Sequence, residues 1–306
     1  MKNLVGNTPI IELPSDNEQV RLYAKCEFLS VTASIKDRVA EYIIAHARRT
    51  GALKPGQCIV EASSGNMGTA LSAMGRHWGH PVHITCPEKT GSAKRKAIQA
   101  LGAELTICPN VTDAEDPAYY VRQAERIAAT QNGFWINQFD NPLNPACHFE
   151  TTGREIVEFF EAEQKTLDVF ITVGGSGGTI TGCARRIKKH FPNAKVVMPD
   201  PAGSVYHDLF YQGRVIPENV FSYVVEGPGN AVMCRSMDLS VVDKIVRFTD
   251  QEAFEGCEAL AKRFGLLVGH SAGANYNVAQ RVMQNLPLAS ATNILILLPD
   301  SGSKYL

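Results

Sequence analysis

Apolar residues along this chain switch repeatedly between two spacings: short runs dense in Val, Ile and Leu, and longer stretches in which apolar positions recur every three or four residues. The first kind reads as buried strand, the second as helix with one apolar face. Gly6-Asn7-Thr8-Pro9 is a turn signal, followed by apolar Ile10, Ile11 and Leu13. In the first half the pattern predicts strands over 21–28, 58–61, 81–86 and 104–108, and helices over 69–78, 93–101 and 118–130. A further helix opens at Ser34-Ile35-Lys36-Asp37-Arg38 and runs to about Gly51, with Val39, Tyr42, Ile43 and Ala45 as its apolar stripe. Ser34 is its expected N-cap, and Asp37 suits its first turn. Trp135-Ile136-Asn137-Gln138-Phe139 leads into a Pro- and Asn-rich turn over 140–145. The second half repeats the rhythm, with strands over 167–173, 195–198, 244–249 and 293–298 and helices over 181–190, 251–264 and 272–286. Strand–helix alternation at this spacing implies parallel α/β sheets. Two such halves meeting near 139–145 imply a ligand cleft between domains. No repeat or low-complexity segment interrupts them.

Composition narrows the partners. A length of 306 residues suggests two domains with ample core. A formal net charge of -1 implies neither a nucleic-acid surface nor an acidic tail, so the target is a small molecule. No apolar run approaches the roughly 18 residues of a membrane helix. Met1-Lys2-Asn3-Leu4-Val5-Gly6 lacks the apolar core of a secretory signal. The eight cysteines are scattered singly, which points to reduced thiols in a cytosolic protein rather than a zinc ribbon or a disulfide framework.

Four stretches carry candidate chemistry. Lys36 falls in the first turn of its helix, where the positive helix end disfavours an ammonium and favours the neutral amine that a Schiff-base lysine needs. Taken alone, Lys36-Asp37-Arg38 reads first as a solvated charge cluster at a helix start. Gly174-Gly175-Ser176-Gly177-Gly178-Thr179 leaves a buried strand and opens a helix, and bare amides there cradle a phosphate. The stretch lacks the closing Lys of a P-loop, and Ile180 stands where a dinucleotide fingerprint needs its third glycine. Asp200, at the end of the next strand, keeps a nucleotide site open as an alternative, and a purely structural glycine turn is another. Lysine and phosphate cradle together suggest pyridoxal phosphate. Ser63-Ser64-Gly65-Asn66 offers hydroxyls, amides and a carboxamide at a strand–helix junction, suited to a carboxylate or to nothing more than a capped helix. Leu298-Pro299-Asp300-Ser301-Gly302 leaves the last strand, with Asp300 and Ser301 facing opposite ways. An Asp on a pyridine nitrogen would hold it protonated; a Ser would leave it neutral and favour β-elimination chemistry. His77, His80 and His83 straddle a helix end, a turn and a strand, so no common metal site is expected from them.

Gly6-Asn7-Thr8-Pro9, Ser34-Ile35-Lys36-Asp37-Arg38, Ser64-Gly65-Asn66, Gln138-Phe139, the Gly175-to-Thr179 loop and Pro299-Asp300-Ser301 stand in the order found in the cysteine synthase / cystathionine β-synthase family of fold type II pyridoxal-phosphate enzymes. The chain resembles that family over essentially its whole length. Ala24-Lys25-Cys26-Glu27-Phe28, Gly265-Leu266-Leu267 and Ser271-Ala272-Gly273 lean toward its cystathionine β-synthase side, without that enzyme's haem-binding extension or regulatory tail. The resemblance implies two three-layer α/β domains with mostly parallel twisted sheets, the tryptophan-synthase-β-like fold. Residues 1–12 and 35–145 would form a smaller mobile domain, and 13–34 and 146–306 a larger one that binds the cofactor phosphate.

By the same resemblance, Lys36 carries pyridoxal 5′-phosphate and moves the α-proton, and Asn66 bonds the cofactor's phenolic oxygen. Gly175, Ser176, Gly177, Gly178 and Thr179 bind its phosphate, and Ser301 meets its ring nitrogen. Ser63, Ser64, Gly65 and Gln138 hold the substrate carboxylate, and Gly227 in Glu226-Gly227-Pro228-Gly229 faces the substrate amine. Three departures bear on specificity. Met67 replaces a threonine that contacts the carboxylate, His270 replaces a small residue on a loop near the site, and Asn230-Ala231 replaces a variable pair. The implied reaction is β-replacement on L-serine or an O-activated serine through an aminoacrylate, adding a thiol. An elimination lyase or deaminase, or an amine acceptor, is the alternative. A cytoplasmic homodimer with no nucleic-acid or membrane partner completes the expectation.

Overall fold

In a computed structural model of the chain, the structure describes residues 4–15, 17–111, 113–285 and 292–306. Leu286, the expected end of one helix, and residues 1–3 of the N-terminal segment lie outside them. The chain divides into two compact units. One comprises Ser30–Leu143 with Leu4 and Val5; the other comprises Gly6–Leu29 and Asn144–Leu306.

Two strands of the second unit come first, β1 (Ile10–Leu13) and β2 (Val20–Cys26). The first unit then runs α1 (Lys36–Thr50), β3 (Ile59–Ala62), α2 (Asn66–His77), β4 (Val82–Pro87), α3 (Ser92–Ala100), β5 (Glu104–Cys108), α4 (Tyr120–Thr130) and β6 (Phe134–Trp135). Its four strands lie in the order β5-β4-β3-β6, all parallel. The chain returns to the second unit through α5 (Leu143–Glu150), α6 (Thr152–Ala162), β7 (Val169–Ile171), α7 (Gly178–His190), β8 (Lys195–Pro201), α8 (Tyr206–Gln212), β9 (Lys244–Phe248), α9 (Asp250–Phe264), α10 (His270–Asn285) and β10 (Thr292–Leu298). Here the order is β1-β2-β10-β7-β8-β9, parallel except for the β1–β2 pair. The expected α/β class with mostly parallel sheets is what folds.

The inner strands β3, β4, β7 and β10 are buried almost throughout, as strands covered on two faces must be. In the second unit, Leu22, Ala24, Ile171, Ile294, Ile296 and Leu298 pack with Ala272, Tyr276 and Val278 of α10. In the first, Val60 and Ala62 pack against Ala124 and Ala128 of α4. Among the described residues no helix is long and apolar enough to cross a membrane.

Several expected boundaries shift. Strand 167–173 contracts to Val169–Ile171, because Val173 N–H bonds the Asn275 side chain at 2.8 Å instead of a strand. Of stretch 140–145, expected as a turn, residues 140–142 do turn and residues 143–145 already begin α5. Pro145 sits in its first turn, where a missing N–H costs nothing. Residues 10–12, placed by the resemblance in the smaller domain, pair with β2 in the six-stranded sheet. Ser34 does not cap α1: Ile35 occupies the cap position, and the Ser34 hydroxyl is buried without a hydrogen-bond partner. The Asp37 carboxylate does related work, accepting the Thr32 N–H at 2.7 Å and the Thr32 hydroxyl.

Candidate active site

In an open parallel sheet, the loops leaving the carboxyl ends of the strands are where ligands bind. In the first unit, β3 and β6 are adjacent, with Ile59 beside Phe134 and Val60 beside Trp135. Their outgoing loops carry Ser63 to Asn66 and Gln138. Asn137 turns the second loop with a left-handed φ of 50°. Buried Gln138 donates from Nε2 to the Ala62 carbonyl at 3.4 Å. Its Oε1 accepts from Lys36 Nζ at 3.2 Å. Lys36, Gln138 and the Ser63 loop thus come together, although 102 residues separate the first two along the chain.

The Ser63 loop is partly committed to structure. Ser63 Oγ accepts from the amides of Gly65, at 3.2 Å, and Gly68, at 2.9 Å, and so satisfies amides at the start of α2. Ser64, Gly65 and Asn66 are half-buried at the head of that helix. Met67 is 1% exposed and packs as a core side chain. Burial of its unbranched thioether accounts for a methionine at this position by packing.

One neighbour that sequence reasoning passed over is Glu61, the single charged residue of strand Ile59-Val60-Glu61-Ala62. A lone carboxylate in an otherwise buried strand was the available signal. Glu61 is fully buried, and neither carboxyl oxygen has a partner with hydrogen-bond geometry. Burial raises its carboxyl to about 8, against the pull of the nearby Gln138 backbone and side chain, the Asn137 backbone and the Lys36 charge.

In the second unit, β7 and β10 are adjacent and parallel, so the glycine loop and the Pro299-Asp300-Ser301 stretch leave the same sheet edge. Among the described residues the amides of Gly175, Ser176, Gly177 and Gly178 donate to no backbone carbonyl. Gly177 caps α7 with a φ of 91°. Its neighbours hold the loop fast. Asn144 Nδ2 donates to Ser176 Oγ at 3.0 Å, Tyr206 hydroxyl to the Gly175 carbonyl at 2.6 Å, and Gly229 N–H to the Gly174 carbonyl at 2.6 Å. Thr179 Oγ1 lies 3.2 Å from Nε2 of buried His148, whose Nδ1 is 3.0 Å from Thr152 Oγ1. A Cβ on Gly175 would stand 2.0 Å from the Gly227 carbonyl oxygen, whereas one on Gly227 would meet nothing within 4 Å. A rigid loop of unused amides at a helix N-terminus fits a phosphate group.

Ser301 is half-buried, bridged to Val268, and its Oγ lies 2.8 Å from Ser303 Oγ. Asp300 is buried and bonds elsewhere, accepting from Tyr305 hydroxyl at 2.6 Å and Ser271 Oγ at 3.5 Å. The two side chains therefore serve different surroundings, as alternation along extended chain requires. His270 is not on a loop: it is the first residue of α10, with its ring against Tyr305 at 4.5 Å and Phe254 at 4.8 Å. Asp200 is fully buried and accepts the His207 amide at 2.9 Å, so it faces no ribose. His80 bonds Arg48 and the Gln57 carbonyl, His83 bonds Thr106, and His77 packs on Trp78, three separate surroundings.

The sequence matches the family described as pyridoxal-phosphate dependent enzyme over residues 1–300. The chain belongs to that family. Cystathionine beta-synthase of Oryctolagus cuniculus is 34% identical over 99% of this chain and 54% of its own. The chain thus spans about half the length of the curated relatives it matches. Among solved structures, O-ureido-L-serine synthase superposes with a TM-score of 0.90 at 31% identity, covering 99% of this chain and 92% of that one. O-acetylserine dependent cystathionine beta-synthase from Helicobacter pylori superposes with a TM-score of 0.88 at 28% identity, over 100% and 96%. The lysine, the amide loop and the hydroxyl at Ser301 are the kinds of group such a cofactor requires.

Proposed function

We propose that this chain uses pyridoxal 5′-phosphate to replace the β-substituent of L-serine or an O-activated serine with a thiol, giving cysteine or a cysteine thioether. The observation that carries the reading is the Lys36 amine, 3.2 Å from Gln138 Oε1, beside a loop of hydroxyls and amides. An amine that can hold a cofactor and groups that can hold a carboxylate stand in one place. Bound pyridoxal phosphate supplies an electron sink that loosens the α-proton and lets the β-substituent leave.

The protein's own groups do the rest. Lys36 holds the cofactor and, once released by the substrate amine, carries the α-proton. Gln138, Ser63, Ser64 and Gly65 hold the substrate carboxylate, with Met67 packed beneath them, and Asn66 bonds the phenolic oxygen. Gly175, Ser176, Gly177, Gly178 and Thr179 hold the phosphate. Gly227, with open space beside it, faces the substrate amine. Ser301 leaves the ring nitrogen unprotonated, because a hydroxyl is too weak an acid to charge it. His270, packed between Tyr305 and Phe254, acts on substrate choice through the packing of that corner. The working protein is a cytoplasmic homodimer.

The likeness to O-ureido-L-serine synthase favours a second reading, in which the acceptor is not a thiol. A panel of serine, O-acetylserine and O-phosphoserine crossed with sulfide, homocysteine, amine and hydroxyurea acceptors separates the two. The proposal expects product formation that needs both a donor and a thiol. Pyruvate and ammonia at the same rate with and without every acceptor would instead make the chain an elimination lyase.

A further inference from the structure

We propose that the Glu61 carboxyl is a positioning group for Lys36: it supports the turn at Asn137 and Gln138 and, through the Gln138 carboxamide, sets where the Lys36 amine lies and how readily it gives up its proton. The inference rests on Lys36 being the cofactor-bearing lysine.

Three features of the geometry lead to it. Glu61 lies in β3, next to its last residue, fully buried, and neither oxygen meets hydrogen-bond geometry although the Asn137 and Gln138 backbone stands close by. A buried carboxyl left in that state is costly unless something local needs it. What lies against it is the turn of Asn137, whose left-handed backbone aims successive amides, including that of Gln138, toward the carboxyl. Gln138 in turn is the residue whose Oε1 receives Lys36 Nζ and whose Nε2 is tied to Ala62, the residue after Glu61. Glu61, Ala62, Gln138 and Lys36 therefore form one continuous set of contacts that ends on the reactive amine.

The charge balance gives this arrangement a direction. Lys36, from α1, is the charged side chain that acts on Glu61; the turn contributes uncharged amides, and Ile84 of β4, in register with Glu61, is apolar. Burial keeps the carboxyl protonated up to about 8. Near neutral pH, then, Glu61 itself places no negative charge beside the Lys36 ammonium. Above that range the carboxyl ionises, and the coupling, being mutual, makes the ammonium harder to deprotonate.

The test is trace labelling of the Lys36 amine with acetic anhydride across pH in the protein freed of cofactor, read by peptide mass spectrometry. The reagent acylates neutral amine and releases acetate and a proton. Parent protein is compared with Glu61→Gln, which keeps the shape but cannot ionise, and with Glu61→Ala, which removes the support. At pH 7 Glu61→Gln should label Lys36 as the parent does, and above pH 8 it should label faster. Glu61→Ala should alter the labelling rate about ten- to a hundredfold, the range that misplacing a reacting group produces. Superimposable parent and Glu61→Gln curves at every pH would overturn the proposal, as would a Glu61→Gln protein already slowed tenfold at pH 7. If Glu61→Ala does not fold, the comparison with Glu61→Gln decides alone. Borohydride reduction of the cofactor-loaded parent, mapped in the same digest, reports separately whether Lys36 carries the cofactor.

Discussion

Lys36 Nζ donates to Gln138 Oε1 across 3.2 Å, joining the first turn of α1 to the loop that leaves β6. The bond holds the amine at the carboxyl edge of the four-stranded sheet, where the Ser63 loop also ends. A hydrogen bond to a charged group is worth roughly 1.5–3 kcal/mol, so Gln138→Ala should lower kcat/KM by about 10- to 150-fold. Gln138→Glu should do as much at pH 7 and recover partly at higher pH, because a carboxylate beside Lys36 holds the ammonium form. Steady-state kinetics across pH check both. An unchanged pH profile in Gln138→Glu would mean that the contact does not govern the amine.

Gly177→Ala should be poorly tolerated. The residue has a φ of 91°, and a Cβ there would lie 2.4 Å from the Met237 Cα. Left-handed backbone and overpacking together cost about 2–5 kcal/mol. Denaturant unfolding should show that loss in the protein without cofactor, and titration should show weaker phosphate binding in the folded remainder. A stable Gly177→Ala protein with unaltered affinity would remove the loop from the phosphate site.

Two buried carboxyls make stability fall as pH rises. Glu61 is raised to about 8 and Asp200 to about 7, each chiefly by burial. Between their ordinary ionisation near pH 4 and these values, the folded chain keeps protons that the unfolded chain has released. Raising the pH therefore favours unfolding, by up to about 1.4 kcal/mol per pH unit for each group. The penalty is absent below the unfolded values and complete above the folded ones. Glu61→Gln should gain stability over the parent progressively from pH 5 to pH 8 in denaturant titrations. Parallel stability curves would contradict the burial argument.

Ser301→Asp should be more damaging than Ser301→Ala. An aspartate would hold the ring nitrogen protonated and spread charge into the ring, redirecting the bound amino acid toward other products. Among the described residues Ser301 Oγ bonds its neighbour Ser303, so Ser301→Ala should leave the fold intact. Product ratios after a single donor incubation distinguish the two variants. Equal ratios in Ser301→Asp and the parent would show that Ser301 is not the nitrogen's partner.

Much of this arrangement was legible in the chain. The strand over 104–108 was placed to the residue, and the glycine loop fell between its strand and helix, because apolar spacing and glycine clusters act locally. Helices α5 and α6 were missed, since Pro145 and the asparagines around it read as turn chemistry until the first helical turn is known to tolerate them. Ser34 suits a cap by residue type alone, whereas Asp37 bonds back to Thr32 and Ser34 is buried. His270 read as a loop residue because Gly269-His270-Ser271 carries no periodicity; only the fold shows it starting α10 against Tyr305. The role of Glu61 gives no local signal because the turn it supports, at Asn137 and Gln138, lies 76 and 77 positions away.

The visible absorbance of the purified protein, before and after Lys36→Ala, tests the central claim most directly. The parent should be yellow and, after borohydride reduction, should carry the cofactor covalently on the Lys36 peptide. Lys36→Ala should keep its fold by circular dichroism while losing the covalent link and almost all turnover. A Lys36→Ala protein that stays fully active, or a parent whose reduced cofactor maps to another lysine, would contradict it.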